Sequence, residues 1–183
     1  MSASDQPQGE PQDLLAGLTH VRSGADGDEA RMVDVGAKGV TGRSALARAV
    51  VELPAGVGEL LSEGGGPKGP VGEVARVAGI LGAKRTADLI PMCHPLSLDH
   101  VELDLVWLPD DRLEIFCRAS CQGRTGVEME ALTGAGVAAL TVVDMVKGVS
   151  KGVRISCIEL LEKTGGKSGT WRRVGAQIPP QSP

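Results

Sequence analysis

Apolar residues recur at helical spacing between residues 70 and 88. Val71, Val74, Ala75, Ala78, Leu81 and Gly82 fall on one face, and Pro70 suits a first helical turn. The helix must end before Pro91. The period then changes. Val101, Leu103, Leu105 and Trp107 alternate with mostly polar neighbours, residues 109–112 break the run, and Leu113, Ile115, Cys117 and Ala119 resume it. That pattern predicts a hairpin with one buried face. From residue 128 to 147 the pattern changes again: residues 131–143 carry no charge, and apolar side chains lie on every side. Ala131, Leu132, Ala139 and Leu140 favour helix, so a helix buried nearly all round is expected. Residues 151–161 read as a final strand, while residues 44–53, ending before Pro54, fit strand or helix. Two helices and at least three strands, with a sequential hairpin between the helices, predict an α+β sandwich. An antiparallel sheet would carry helices on one face.

The ends differ from this body. Residues 1–17 are rich in Ser, Asp, Gln, Pro and Gly, and residues 175–183 finish Pro-Pro-Gln-Ser-Pro. Both read as disordered tails flanking a single domain over residues 18–174. The 183 residues suffice for a core without disulfide or metal staples. With 19 basic against 23 acidic side chains, a broad electrostatic grip on nucleic acid is excluded. Phe116, Trp107 and Trp171 are the only aromatics, which removes base-stacking platforms. No run approaches the ~20 apolar residues of a membrane span, and no charged-then-apolar signal opens the sequence. A cytoplasmic protein with reduced Cys93, Cys117, Cys121 and Cys157 is therefore expected. Cys117 and Cys121 stand four apart, but no second pair follows at zinc spacing. They read as core fillers, and no metal site is assigned.

Four stretches carry candidate chemistry. Asp144-Met145-Val146-Lys147 closes the uncharged helix, with Asp144 and Lys147 on one face. A surface ion pair at a helix end is one reading. The other is an acid/base group: the last helical carbonyls raise a nearby carboxyl pKa, which suits a base, while Lys147 pulls it down. Pro91-Met92-Cys93-His94-Pro95-Leu96 sets a His on a stiffened turn beside a Cys, either a loop His or half of a Cys–His pair whose third group cannot be read. Two glycine-rich loops each carry a lysine, Lys68 and Lys167. Residues 165–169 imitate the end of a P-loop, but Leu161 stands where its first glycine is needed and Gly169-Thr170-Trp171 starts a helix poorly. What survives is two flexible loops that, with Arg43, Lys84 and Arg85, either hold a polyanion or are simply solvated. Finally, Glu128 and Glu130 stand at a helix start, where the dipole favours carboxylates. Glu130 and Asp144 would lie about 21 Å apart along one helix. Either the ligand is long, or a second subunit supplies one end.

These stretches come in a familiar order: Met32-Val33-Asp34-Val35, Lys68-Gly69, Ala83-Lys84-Arg85-Thr86, Asp88-Leu89-Ile90-Pro91, Cys93-His94-Pro95-Leu96, Thr125 through Thr133, Asp144-Met145-Val146-Lys147 and Gly165-Gly166-Lys167-Ser168-Gly169. Over residues 18–172 the sequence resembles the MoaC family, the cyclic pyranopterin monophosphate synthases of molybdenum cofactor biosynthesis. The resemblance implies a ferredoxin-like α+β fold and a hexamer built as a trimer of dimers, with active sites at the dimer interface. It implies a lyase that converts 3′,8-cyclised dihydro-GTP to cyclic pyranopterin monophosphate with release of pyrophosphate, and no cofactor. By motif, Asp144 matches the family's acid/base, and Lys147 and Lys68 its catalytic lysines. Met92, Cys93, His94, Met129 and Glu130, with Glu128 beside them, match its substrate-binding segments. Arg43 and Lys167 match basic positions expected to meet the triphosphate. Pro67 and Pro70 depart from the family, standing where relatives often carry His and Asp. With the interface site and the helix length together, Lys68 and Asp144 of one site are expected from different chains. The competing classes are a non-catalytic nucleotide- or polyanion-binding module on the same fold and a purely structural oligomer. An Asp beside a bound polyanion argues against the first.

Overall fold

Ala45, Ala47, Ala49 and Val51 alternate along one segment, and all four are fully buried. That alternation makes Thr41–Glu52 a strand, β3, which settles the ambiguous stretch as strand. A computed structural model describes residues 21–24, 27–64, 66 and 68–178. The expected N-terminal tail, residues 179–183 of the expected C-terminal tail, and Pro67 lie outside these residues. β3 is the centre of a five-stranded antiparallel sheet. It pairs with β5 (Arg112–Gly123) on one side and β6 (Arg154–Thr164) on the other. β4 (His100–Leu108) lies outside β5, and the two-residue β7 (Trp171–Arg172) outside β6, giving the order β4-β5-β3-β6-β7. The predicted hairpin is β4–β5, with Leu103, Leu113, Ile115, Cys117 and Ala119 all buried. Cys117 and Cys121 are core fillers, as their strand positions required. The last strand starts and ends three residues later than residues 151–161. β1 (Val21–Gly24) and β2 (Gly27–Ala30) form a separate two-stranded sheet that the hydrophobic pattern did not announce.

The helices are α1 (Val57–Gly64), α2 (Val71–Lys84), the single turn α3 (Thr86–Leu89) and α4 (Glu128–Val146). α2 and α3 together are the helix expected over residues 70–88, broken at Arg85. α4 lies over β3, β5 and β6, and α2 packs beside it against β4. By length and a mean hydropathy of 1.5, α4 is apolar enough to cross a membrane. Here it is a core helix, with Ala131, Ala135, Ala138, Ala139 and Val142 completely buried. The contact with α2 is made through glycines: a Cβ on Gly79 would lie 2.8 Å from the Gly134 carbonyl oxygen. Because α2 follows Lys68 and ends beside the start of α4, the two helices run antiparallel.

The other face of the sheet carries a smaller cluster, Leu46, Phe116 and Leu161. Ala176 and Ile178, within the segment read as a C-terminal tail, pack against it. Arg48 sits beside this cluster, bonded to Glu114 at 3.2 Å and to Glu159 through Nε at 3.1 Å. The result is an α+β ferredoxin-like fold, with the helix layer on one face of an antiparallel sheet.

Candidate functional site

The turn before α2 and the last turn of α4 meet. Gly66 and Gly69 close that turn with reciprocal backbone bonds of 2.9 Å, which presents Lys68 outward. Lys68 Nζ donates to Asp144 Oδ2 at 3.0 Å and to the Asp144 carbonyl oxygen at 3.1 Å. Lys147 Nζ reaches Asp144 Oδ1 at 2.6 Å. The three side chains are 51–62% exposed, so the cluster faces outward from the protomer. One chain supplies all three groups, which overturns the expectation that Lys68 and Asp144 come from different chains. The antiparallel run of α2 along α4 is the reason, since it returns the loop before α2 to the end of α4. The opposed influences on Asp144 are also resolved. Lys147 and then Lys68 hydrogen-bond the carboxylate and outweigh the small effect of burial, pulling its pKa down to about 2. Asp144 is thus ionised at neutral pH and clamps two ammonium groups within 3.0 Å of one carboxylate.

At the opposite end of α4 a cavity of ≈ 240 Å³ opens. Its walls are Met92, Cys93 and His94 from the loop after α3, Glu128, Met129 and Glu130 from the first turn of α4, and Val33, Val35 and Lys38 from the segment after β2. Cys93 N–H bonds Ile90 O at 3.0 Å, closing the turn through Pro91 that aims this loop at the helix. First-turn carboxylates complement the helix dipole, but Glu130 does more than that. It is 4% exposed, and burial, with the Glu128 charge adding to it, pushes its carboxyl up to about 7. A carboxyl in that condition exchanges protons at neutral pH. Burial and the Glu130 carboxylate raise the Cys93 thiol, which makes Cys93 a wall of the cavity rather than an activated nucleophile.

Arg43 opens β3 at this same end, where Thr41 pairs with Gly123 and Ser44 with Thr164. Its Nε–H donates to Gly123 O at 3.4 Å. Its guanidinium packs on Gly165 and Gly166, whose φ values of 90° and 75° and closeness to Arg43 leave no room for a side chain. Lys167 follows directly in that turn. The turn leads into β7 rather than a helix, so the P-loop is absent. Arg43 lines a separate open pocket with Ser44, Asp99, Cys121 and Thr164, not the cavity at the start of α4. Among the described residues, no group of three or more His, Cys, Asp or Glu side chains gathers as a metal site.

The predicted residues thus fall into two groups at the two ends of α4. Lys68, Asp144 and Lys147 form one. Met92, Cys93, His94, Glu128, Met129 and Glu130 form the other, while Arg43 and Lys167 line neither. Lys38 is a cavity cation that sequence reasoning missed. Its segment forms no helix or strand, and the only signal was a lysine three residues after Val35.

A family model described as the MoaC family matches residues 32–166. The chain is 54% identical over 174 residues to the cyclic pyranopterin monophosphate synthase of Streptomyces coelicolor, covering 94% of this chain and 99% of that protein. It is 51% identical over 155 residues to the protein of the same name from Novosphingobium aromaticivorans, covering 85% and 96%. Against the Streptomyces avermitilis protein of that name, identity is 55% over 157 residues, covering 85% and 89%.

Proposed function

Because the chain belongs to the MoaC family, we propose that it is a cyclic pyranopterin monophosphate synthase of molybdenum cofactor biosynthesis. It would act on 3′,8-cyclised dihydro-GTP, rebuild the purine into a pterin, and release pyrophosphate as the cyclic phosphate closes. In reaction class it is a cyclising phosphorus–oxygen lyase. The observation that carries this reading is the Lys68–Asp144–Lys147 cluster, two proton-bearing groups held by one carboxylate. The rearrangement requires protons to be moved among ring nitrogens and hydroxyls, and such a cluster supplies donors and an acceptor side by side. Asp144, already ionised, takes up a proton only as a ligand displaces its lysines. Until then it holds both ammonium groups where the reacting atoms arrive.

In this reading Met92, Cys93, His94, Glu128, Met129 and Glu130 bind the heterocycle. Arg43 and Lys167 meet the phosphates and neutralise charge as pyrophosphate departs. The two ends of α4, about 21 Å apart, cannot both touch one compact ligand in a single copy. A two-fold axis that pairs the end of α4 in one chain with the beginning of α4 in its mate completes the site. The protein is then a cytoplasmic homo-oligomer, a trimer of dimers, with each active site shared across the dimer.

Purified protein incubated with enzymatically generated 3′,8-cyclised dihydro-GTP should release cyclic pyranopterin monophosphate and pyrophosphate in equal amounts. The first is read by chromatography after oxidation to a fluorescent pterin, the second by a coupled phosphate assay. Absence of both products from folded, oligomeric protein overturns the reading.

A further inference from the structure

The β4–β5 hairpin turns through residues 109–111, a three-residue loop between the paired Leu108 and Arg112. Such loops end on a residue in the left-handed region, where glycine is the ordinary choice. Here that residue is Asp111, with φ 56°, the one non-glycine residue at positive φ among the described residues. Asp tolerates this conformation better than most side chains, and its carboxylate finds partners that a glycine could not. Oδ1 accepts the Gly58 N–H at 2.9 Å and Oδ2 the Gly56 N–H at 3.0 Å. The Asp111 carbonyl oxygen accepts the Leu53 N–H at 2.9 Å. Asp111 thus caps the start of α1 from a distant part of the chain, 53 residues beyond Gly58.

α1 needs that cap. Eight residues are too few for a helix to stand alone. Leu61 is its one buried side chain, and Leu60 is 67% exposed. An open groove of ≈ 450 Å³ runs between Glu59 and Ser62 of α1 and Trp107 and Pro109 of the hairpin, so the Asp111 bonds, not packing, join the two there. The far end of α1 leads into the Lys68 turn. A Cβ on Gly66 would lie 3.2 Å from Leu61 Cδ2 and 3.0 Å from Val71 Cγ2, so the turn rests on α1 and on the first residue of α2. From that turn Lys68 reaches Asp144 Oδ2 at 3.0 Å. Lys147 follows α4 itself and does not depend on α1.

We propose that Asp111 is a positioning residue for the reaction: by clamping α1 to the hairpin, it fixes the turn that presents Lys68 to Asp144. This rests on the synthase reading above, and adds a residue that lies at neither end of α4.

The test is limited acetylation of the full-length oligomer with acetic anhydride, read lysine by lysine by peptide mass spectrometry. An ammonium held on a carboxylate acylates slowly, and one released to solvent acylates faster. Asp111→Gly removes the clamp and relaxes φ. It should raise labelling of Lys68 at least fivefold and leave Lys147 within twofold. Asp111→Asn tolerates the same φ and keeps one acceptor oxygen, so Lys68 should gain only two- to fourfold. Asp110→Asn removes a neighbouring charge without touching α1, and should change neither lysine. In the product assay Asp111→Gly should lose about tenfold in kcat with KM within twofold, and Asp111→Asn should recover most of that loss. Unchanged Lys68 labelling in Asp111→Gly, equal gains at Lys68 and Lys147, or a rise in KM at constant kcat overturns the proposal. If Asp111→Gly does not fold, Asp111→Asn decides: a Lys68 gain below twofold overturns the clamp. Wild-type turnover with Lys68 indifferent to Asp111 refutes the positioning role alone. Selective release of Lys68 in a protein without turnover refutes the synthase reading and leaves the clamp.

Discussion

Gly79→Ala adds one methyl group where α2 crosses α4, and the space around it sets the outcome. The new Cβ would overlap Leu103 Cδ2, lie 2.8 Å from the Gly134 carbonyl oxygen and 3.1 Å from Ala138 Cβ. Leu103 is itself 1% exposed and has nowhere to turn, and the carbonyl belongs to the backbone of α4. Ala gains about 1 kcal/mol over Gly in helix propensity. Overpacking costs about 1–3 kcal/mol, and contact with backbone selects the upper part of that range. The net result is a loss of about 1–2 kcal/mol. At ~2–4 °C per kcal/mol for a chain of this size, Tm falls by about 2–8 °C. Gly136→Ala, two residues past Gly134 in α4, is the internal control. Its Cβ meets only Ile158 Cδ1, at 3.4 Å, so the propensity gain survives and stability rises by about 0.5–1 kcal/mol. Thermal and urea unfolding, followed by circular dichroism at matched protein concentration, compares the three proteins. A Gly79→Ala protein as stable as wild type, or both variants shifting in one direction, would refute the packing argument.

Asp144→Asn should retain wild-type unfolding, since its side chain is 55% exposed, and lose about 100-fold or more in turnover. Turnover within threefold of wild type in the product assay would contradict the role given to its carboxylate. Glu130 has a folded pKa near 7 against an ordinary 4.5, so its contribution to stability is full below pH 4.5 and is lost as pH rises through 7. Glu130→Gln removes that loss: urea titrations should show it gaining on wild type by about 3 kcal/mol near pH 8 and by little near pH 4.5, and a pH-independent difference would tell against a buried, proton-holding carboxyl. Lys167→Ala should raise KM for the nucleotide by about tenfold or more and leave kcat nearly unchanged, because the phosphates are charged already in the ground state. A fall in kcat at constant KM, from steady-state kinetics, would reverse that division of labour.

Where periodicity was strong, the sequence was enough. The uncharged run over residues 131–143 read as a buried helix, and the alternation through Leu103 and Ile115 as a half-buried hairpin, and both are found. β3 was ambiguous because its buried face is mostly alanine while Arg48 on the other face sits in an ion-pair network, which blurs the contrast between apolar and polar positions. The β1–β2 pair, α1 and the single turn α3 are short, and none presents a long periodic face. For the candidate site, the residues were legible through their motifs and their grouping was not. Lys68 and Asp144 lie 76 residues apart, and their contact depends on α2 running back along α4 with glycines at the crossing. Glu130 reads as an ordinary first-turn carboxylate until tertiary packing buries it. The downward shift of Asp144 comes first from Lys147, which the i, i+3 spacing encodes; only the second contribution, from Lys68, needed the tertiary fold.

Subunit mixing tests most directly whether Lys68, Asp144 and Lys147 of one chain work on the cavity of its two-fold mate. Asp144→Ala and His94→Ala, each inactive alone, are unfolded together and refolded as a mixture. Half of randomly formed dimers are mixed, and each mixed dimer has one site with both lesions and one with neither. Roughly a quarter of wild-type activity should therefore return. Lys68→Ala mixed with Asp144→Ala should return nothing above either parent, because both lesions lie in the same half of the site and every site keeps one. Recovery from the Lys68–Asp144 pair, or none from the Asp144–His94 pair, would contradict a site assembled from the two ends of α4 on neighbouring chains.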